Sequence, residues 1–202
     1  MCLTRTDLLT PAIFLDKDGT VLRDVPYNVA RDRMHFAPGA QQGLTRIGSL
    51  GVPLIIISNQ PAIGLGMARE EDLLGVWHEL VSMFESAGAV LDDFYYCPHH
   101  PQAHAAYYAI DCGCRKPAPG LLKRAAGCHG IDLNRSWFIG DILDDVEAGR
   151  RAGCNTILLN NGNETEWRLN AIRTPDRIES DLDAAGKWLS QRNWHAEQGA
   201  MV

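Results

Sequence analysis

Short apolar runs that alternate with segments of helical spacing constrain the fold of this chain more than any other feature. Five runs are predicted to form buried strands: residues 12–16, 52–59, 94–97, 136–141 and 155–160. Apolar residues at helical spacing occupy 70–86, 118–128 and 143–152. Strands that alternate with helices form a parallel sheet covered on both faces. The predicted class is therefore α/β, with a ligand site at the carboxyl ends of the strands.

The remaining segments fit a single domain of 202 residues. Only 39 residues lie strictly between Asp18 and Ser58, and they must include a helix, so we expect no separate cap domain. Trp77 shares its face of the 70–86 helix with apolar residues, which predicts a core position. A last helix is expected within 181–191, followed from about residue 192 by a polar tail that frays.

The charge of the chain restricts the classes of partner. The net charge is −6 and no run rich in lysine or arginine occurs, which argues against nucleic acid or an anionic membrane as a partner. The first residues lack the long apolar stretch of a secretory signal. We therefore expect a cytoplasmic monomer that acts on a small molecule.

Two aspartates follow the first predicted strand in the sequence "IFLDKDGTVL". Asp16 and Asp18 project the same way if strand geometry persists, because side chains alternate along a strand. Two adjacent carboxylates repel each other, and a divalent metal between them would keep both charged. A solvated loop with an Asp-Gly turn explains this motif equally well on its own.

Other polar residues stand where the later strands are predicted to end. Ser58-Asn59-Gln60 follows the second strand, Arg115-Lys116-Pro117 precedes a helix, and Gly140-Asp141 ends the fourth strand, with Asp144 and Asp145 beyond it. Each group alone could be a turn former or a surface charge. Their common position at strand ends makes coincidence a poor explanation and indicates phosphate chemistry.

The order DxDGT, Ser-Asn, Lys-Pro and GDxxxD, over residues 11–160, resembles the haloacid dehalogenase (HAD) superfamily of phosphotransferases. The resemblance implies a Rossmann-like three-layer αβα fold. A carboxylate nucleophile can divide phosphate-ester hydrolysis into two steps through an aspartyl-phosphate. Asp16 would be that nucleophile, and Asp18 would protonate the leaving alkoxide and then deprotonate water. Ser58 and Lys116 would hold the non-bridging phosphate oxygens.

The same resemblance predicts a magnesium site. Mg²⁺ would be held by Asp16, the backbone carbonyl of Asp18 and Asp141, and would screen the charge of the phosphate. Asp145 would support the metal from outside its direct ligands, and Asp144 is a weaker candidate for the same task.

A second metal site is predicted in the loop 97–114. Cys97, His99, Cys112 and Cys114 supply three thiolates and one imidazole, a closed tetrahedral set for structural Zn²⁺. His100 and His104 are weaker ligand candidates. The alternative is a loop of buried thiols with exposed histidines. The other cysteines, Cys2, Cys128 and Cys154, are interpreted as ordinary small residues.

The zinc loop, together with "VPYN" and "SNQPAIGLG", resembles the D-glycero-D-manno-heptose 1,7-bisphosphate 7-phosphatases and the related histidinol-phosphate phosphatases. This resemblance implies substrate contacts from Asp24, Val25, Pro26, Tyr27, Ser58, Asn59, Gln60, Pro61 and Arg115. Two positions depart from the heptose pattern: Ile142 and Leu65 stand where lysine and arginine are typical. Arg115 remains to bind a second phosphate, unless it only closes the zinc loop.

The predicted function is Mg²⁺-dependent hydrolysis of a phosphomonoester, with removal of the 7-phosphate of the heptose bisphosphate as the first expectation. Histidinol phosphate or another small sugar or polyol phosphate is the alternative substrate. A second alternative is a binding module that is stabilised by zinc and has an inactive catalytic site. Such a module would not need Asp16, Asp18, Lys116 and Asp141 together. A nucleic-acid 3′-phosphatase would need a basic groove with stacking aromatic residues.

Overall fold

The computed structural model describes residues 9–192 and 194. Cys2 and most of the polar tail predicted from residue 192 lie outside the described residues. The strands are β1 Ile13–Leu15, β2 Leu54–Asn59, β3 Asp93–Cys97, β4 Trp137–Gly140, β5 Asn155–Leu159 and β6 Arg177–Glu179. They form one sheet in the order β3-β2-β1-β4-β5-β6, and every neighbouring pair is parallel. The five predicted strands and the α/β class are confirmed.

The helices are α1 Ala40–Gly48, α2 Pro61–Gly64, α3 Asp72–Ser86, α4 Gly120–His129, α5 Leu143–Ala152 and α6 Leu182–Leu189. Two single-turn 3₁₀ helices occupy Arg31–Arg33 and Leu133–Arg135. The predicted helices are present, with α5 at its predicted bounds. The sequence pattern missed α2 and β6, because each is too short to show a period.

The central strand β1 separates two hydrophobic layers. Ile13 and Leu15 belong to the cluster that includes α1, α3 and α6, whereas Phe14 belongs to the cluster that includes α4. All three side chains are fully buried, and burying each contributes about 1.5–3 kcal/mol. Trp77 is half-buried and packs against the first layer rather than inside it, so its predicted core position is met only in part. The result is a three-layer αβα arrangement.

No cap domain interrupts the chain within the described residues. Between β1 and β2 the chain forms a 3₁₀ turn, α1 and short bridges that pair Asp18 with Leu22 and Leu22 with Phe36. The connection between β1 and β2 is therefore an elaborated loop rather than a separate domain. Across residues 9–192, no helix combines the length and apolar composition that crossing a membrane requires.

The register of the sheet brings the predicted motifs together. Leu15 pairs with Ile56 of β2 on one side and with Ile139 of β4 on the other. The next residue, Asp16, donates its backbone N–H to the Ile139 carbonyl at 2.9 Å. The loops that follow β1, β2 and β4 consequently emerge side by side at one edge of the sheet.

Candidate active site

Three buried carboxylates converge at this edge. One oxygen of each of Asp16, Asp141 and Asp145 lies within 4.8 Å of the others. Burial, reinforced by the charges of Asp16 and Asp145, raises the pKa of Asp141 to about 8. Burial also raises the pKa of Asp145 to about 7, against the opposing effect of Lys116. Repulsion of this kind is relieved by a bound cation, and oxygen ligands suit a hard divalent metal, so the residues fit Mg²⁺.

Lys116 supplies the positive charge in the cluster. Its ammonium contacts Asp16 Oδ1, lies 2.7 Å from Asp145 Oδ1 and donates to the carbonyl of Ile57 at 3.1 Å. Burial alone would lower the pKa of Lys116, but the two carboxylates raise it well above its ordinary value. Lys116 therefore remains charged.

The neighbouring strand end holds Lys116 in place. The Asn59 side chain accepts from the backbone N–H of Lys116 at 3.0 Å and donates to its carbonyl at 3.2 Å. A two-sided contact of this kind fixes the backbone from which the lysine projects. Asn59 thus has a positioning contact besides the substrate contact that the sequence predicts.

Asp18 lies half-buried beside the cluster rather than inside it. Its carboxylate accepts from Lys17 Nζ at 2.9 Å and from Gln60 Nε2 at 3.4 Å. Gln60 also donates to Ser58 Oγ at 2.8 Å. The Asp18 carboxylate therefore lies outside the group of three clustered carboxylates, and its role in proton transfer stays a prediction.

Asp141 is held by two residues that the sequence reasoning missed. Thr20 Oγ1 donates to Asp141 Oδ1 at 3.2 Å, and Asn163 Nδ2 donates to Asp141 Oδ2 at 2.7 Å. Thr20 stands in the DxDGT motif, which could have identified it. Asn163 lies in a polar segment with no apolar period, and its only signal is its position after the carboxyl end of β5.

A cleft of about 300 Å³ opens above the carboxylates. Eleven of the predicted catalytic, metal-binding and substrate-binding residues line it: Asp16, Asp18, Asp24, Val25, Tyr27, Ser58, Asn59, Pro61, Arg115, Lys116 and Asp141. Tyr27 has a φ of 58°, which is uncommon for a bulky residue and occurs most often where a turn or site requires it. Pro26 and Gln60 do not line the cleft, and the substrate contacts of all these residues stay predictions.

Of the two positions that depart from the heptose pattern, one lines the cleft and the other does not. Ile142 lines the cleft, so the missing lysine leaves an apolar side chain at the site itself. Leu65 does not line the cleft and stands at the end of α2.

Asp144, the weaker candidate to support the metal, lines the cleft, but its carboxylate pairs with Arg173 at 3.0 Å.

The four predicted zinc ligands converge on one point. His99 Nδ1 lies 3.3 Å from the sulfurs of Cys97 and Cys114, and the sulfur of Cys112 lies 3.3 Å from that of Cys114 and 3.6 Å from that of Cys97. A disulfide would require about 2.05 Å between sulfurs, so these thiols are not cross-linked. Three thiols and one imidazole gathered in this way fit a closed zinc site.

The zinc loop is joined directly to the cleft. Arg115 donates from Nη1 to the carbonyl of His99 at 3.0 Å and also lines the cleft. Lys116 follows it in the chain. The loop that ends at Cys114 therefore leads directly to both cations, and one of its ligand residues, His99, accepts a hydrogen bond from Arg115.

Comparisons with known proteins agree with this geometry. Residues 113–185 match the HAD-hydrolase-like family. The D-glycero-β-D-manno-heptose-1,7-bisphosphate 7-phosphatase of Yersinia pestis is 33% identical over 89% of either chain, and that of Photorhabdus laumondii is 37% identical over 74% of this chain and 79% of its own.

Solved structures give the same result. A HAD-like phosphatase of Mesorhizobium loti has a TM-score of 0.78 and 26% identity, covering 93% of this chain and 90% of its own. A D,D-heptose 1,7-bisphosphate phosphatase of B. bronchiseptica, complexed with magnesium and phosphate, has a TM-score of 0.74 and 26% identity, covering 90% of this chain and 99% of its own. By fold, motif order and similarity over most of its length, this chain is a phosphatase of the HAD superfamily and belongs to the family of the D-glycero-D-manno-heptose-1,7-bisphosphate 7-phosphatases.

Proposed function

We propose that this phosphatase removes the 7-phosphate of D-glycero-D-manno-heptose 1,7-bisphosphate through an aspartyl-phosphate on Asp16. The observation that carries the mechanism is the position of Asp16. Its carboxylate borders the open cleft, contacts the Lys116 ammonium and lies within the group of three buried carboxylates. A nucleophile in this position meets the substrate phosphorus next to groups that neutralise the phosphate charge.

Four side chains carry out the two steps of this reaction. Asp16 forms a bond to phosphorus as the ester oxygen leaves, and Asp18 gives that oxygen its proton. Asp18 then takes a proton from water, whose oxygen attacks phosphorus, so that inorganic phosphate departs and the Asp16 carboxylate is restored. The Ser58 hydroxyl and Lys116 ammonium hold the non-bridging oxygens in both steps.

Asp16, Asp141 and the backbone carbonyl of Asp18 would hold Mg²⁺, and Asp145 would support them. When bound, the metal supplies positive charge that screens the phosphate from its carboxylate nucleophile. The fit rests on the donor set, since three buried carboxylates face one lysine.

Cys97, His99, Cys112 and Cys114 would hold a structural Zn²⁺. All four positions of a tetrahedral ion are then filled by protein, which leaves none for water or substrate. Its task would be to fix the loop that delivers Arg115 and Lys116 to the cleft.

The names of the relatives and the second cation of the cleft support the bisphosphate. Among the described residues that line the cleft, the cations are Arg115 and Lys116. With Lys116 at the reacting phosphate, Arg115 would bind a distant phosphate through guanidinium donors other than the one that it gives to the His99 carbonyl. Ile142 supports the alternative, because an apolar residue at the cleft suits histidinol phosphate or another monophosphate better than a second anionic group.

A substrate panel tests this proposal. The purified protein with Mg²⁺ is assayed against heptose 1,7-bisphosphate, histidinol phosphate and several sugar and polyol monophosphates, with Asp16→Asn as the inactive control. We expect the highest kcat/KM for the heptose bisphosphate, with phosphate released from carbon 7. A higher kcat/KM for histidinol phosphate would move the assignment to the alternative substrate. The cytoplasmic location and the monomeric state stay predictions.

A further inference from the structure

A short segment after β5, residues 161–164, contacts three separate parts of the active site. Asn161 Nδ2 donates to the carbonyl of Gly19 at 2.7 Å, in the loop that carries Asp16 and Asp18. Asn163 Nδ2 donates to Asp141 Oδ2 at 2.7 Å. Glu164 Oε2 accepts from the backbone N–H of Leu143 at 2.6 Å, at the start of α5. We call this segment the strap.

The strap has a defined conformation of its own. Asn161 Oδ1 accepts from the backbone N–H of Asn163 at 3.2 Å, which closes a turn around Gly162. Gly162 has a φ of +96°, a value that favours glycine. The Asn161 backbone N–H donates to the carbonyl of Leu159, the last residue of β5. The amide of Asn163 therefore approaches Asp141 from a fixed direction rather than from a free loop.

Asn163 completes the fixation of the Asp141 carboxylate. Thr20 donates to one oxygen and Asn163 to the other, so the plane of the carboxylate is held from both sides. Each oxygen keeps a lone pair for a further contact, and one Asp141 oxygen lies within 4.8 Å of an oxygen of Asp16 and of Asp145. Residues that hydrogen-bond a metal-binding carboxylate orient it and tune its affinity for the ion.

We propose that Asn163 is a positioning residue that orients Asp141 for the divalent metal. The inference rests on the proposed function, because it assumes that Asp141 binds Mg²⁺. Asn163 is exposed at the surface, so packing of the core does not explain its contact with a buried carboxylate. If Asn163 only stabilised the strap, removal of its side-chain amide would leave the affinity for the metal unchanged.

The test compares Asn163→Ala with Asn160→Ala, which removes an exposed asparagine next to the strap whose backbone N–H bonds Glu179. Isothermal titration with Mg²⁺ alone measures affinity without substrate. We expect Asn163→Ala to bind Mg²⁺ about 10–100-fold more weakly than wild type and Asn160→Ala to bind it normally. Hydrolysis of p-nitrophenyl phosphate by Asn163→Ala should recover at saturating Mg²⁺, with KM for the ester unchanged.

Three outcomes separate the inference from the proposed function. Unchanged Mg²⁺ affinity in an active Asn163→Ala protein would overturn the positioning role alone. An activity loss that saturating Mg²⁺ does not restore would also overturn it, because it would indicate a structural effect. A wild-type protein without Mg²⁺ binding or phosphatase activity would overturn the proposed function itself. Asn163→Ser, whose shorter polar side chain cannot reach Asp141, repeats the measurement if the alanine variant does not fold.

Discussion

The Lys116 ammonium lies 2.7 Å from the Asp145 carboxylate, and 4% and 1% of the two side chains are exposed. The same ammonium contacts Asp16 at the base of the cleft. Lys116, in the segment after the zinc loop, therefore pairs both with Asp145 in the first turn of α5 and with the predicted nucleophile. Two carboxylates and the Ile57 carbonyl thus fix the position of the buried ammonium.

Lys116→Met should lower kcat while the protein stays folded. The change removes the cation that faces the phosphoryl oxygens and is expected to cost about 10²–10³-fold in kcat. Lys123→Met, at an exposed position of α4, is the matched control. Steady-state hydrolysis of p-nitrophenyl phosphate measures both variants, with circular dichroism as the check on folding. Equal rates for the folded Lys116→Met protein and its control would remove Lys116 from the chemistry.

Gly19→Ala should damage the site beyond its effect on backbone conformation. Gly19 has a φ of +85°, and an added Cβ would lie 2.0 Å from Asp141 Oδ2. Gly88, with a φ of +72° and no atom within 4 Å of an added Cβ, controls for the backbone strain alone. Alanine at either position should cost about 1–2 kcal/mol of stability from the left-handed conformation. Only Gly19→Ala should also lose phosphatase activity, and an active Gly19→Ala enzyme would show that the Asp141 position is not critical.

We expect the stability of the protein to depend on bound zinc. Elemental analysis should find one zinc ion per chain, and Cys112→Ser should lower both the zinc content and the thermal midpoint, because a structural ion contributes to folding. Cys128→Ser changes an exposed cysteine outside the ligand cluster and should keep the wild-type zinc content. Wild-type protein that has reduced ligands and contains no zinc would contradict this prediction and favour the alternative, a loop of buried thiols.

Arg115→Ala distinguishes a substrate contact from a structural one. If Arg115 binds a second phosphate, kcat/KM for a sugar bisphosphate should fall by about 10–10³-fold, the loss expected for a charged contact. Hydrolysis of p-nitrophenyl phosphate should barely change. Arg124→Ala, on the exposed surface of α4, is the control. Equal losses on both substrates would mean that the bond from Arg115 to the His99 carbonyl is its main role.

Sequence periodicity was sufficient to predict the elements of the fold that are largely buried. The strand β2 is a continuous apolar run, and α5 carries acids first and arginines last, so both were predictable. The strand β6 was not, because Arg177–Glu179 has polar ends and only one apolar residue. Its place at the sheet edge depends on pairing with β5, which no local pattern reports.

The candidate site could be predicted where residue type and strand end coincide. Asp16 follows β1, Ser58 is the penultimate residue of β2 and Asp141 follows β4. These strands are neighbours in the sheet, so the convergence of the three residues follows from parallel topology alone. The pairing of Lys116 with Asp145 depends on how the zinc loop returns to the sheet, and the contact of Asn163 with Asp141 depends on the turn at Gly162. Those geometries are set by tertiary contacts and are absent from the sequence pattern.

The most direct test of the account is the detection of a phosphoryl group on Asp16. Asp18→Asn should form the aspartyl-phosphate from p-nitrophenyl phosphate, whose leaving group needs no proton, and should hydrolyse it slowly because the general base is missing. Mass spectrometry of acid-quenched protein should then find the phosphoryl group on the peptide that contains Asp16, and none in Asp16→Asn, which should be inactive. A phosphoryl group on another residue, or an Asp16→Asn protein that keeps wild-type turnover, would contradict the account.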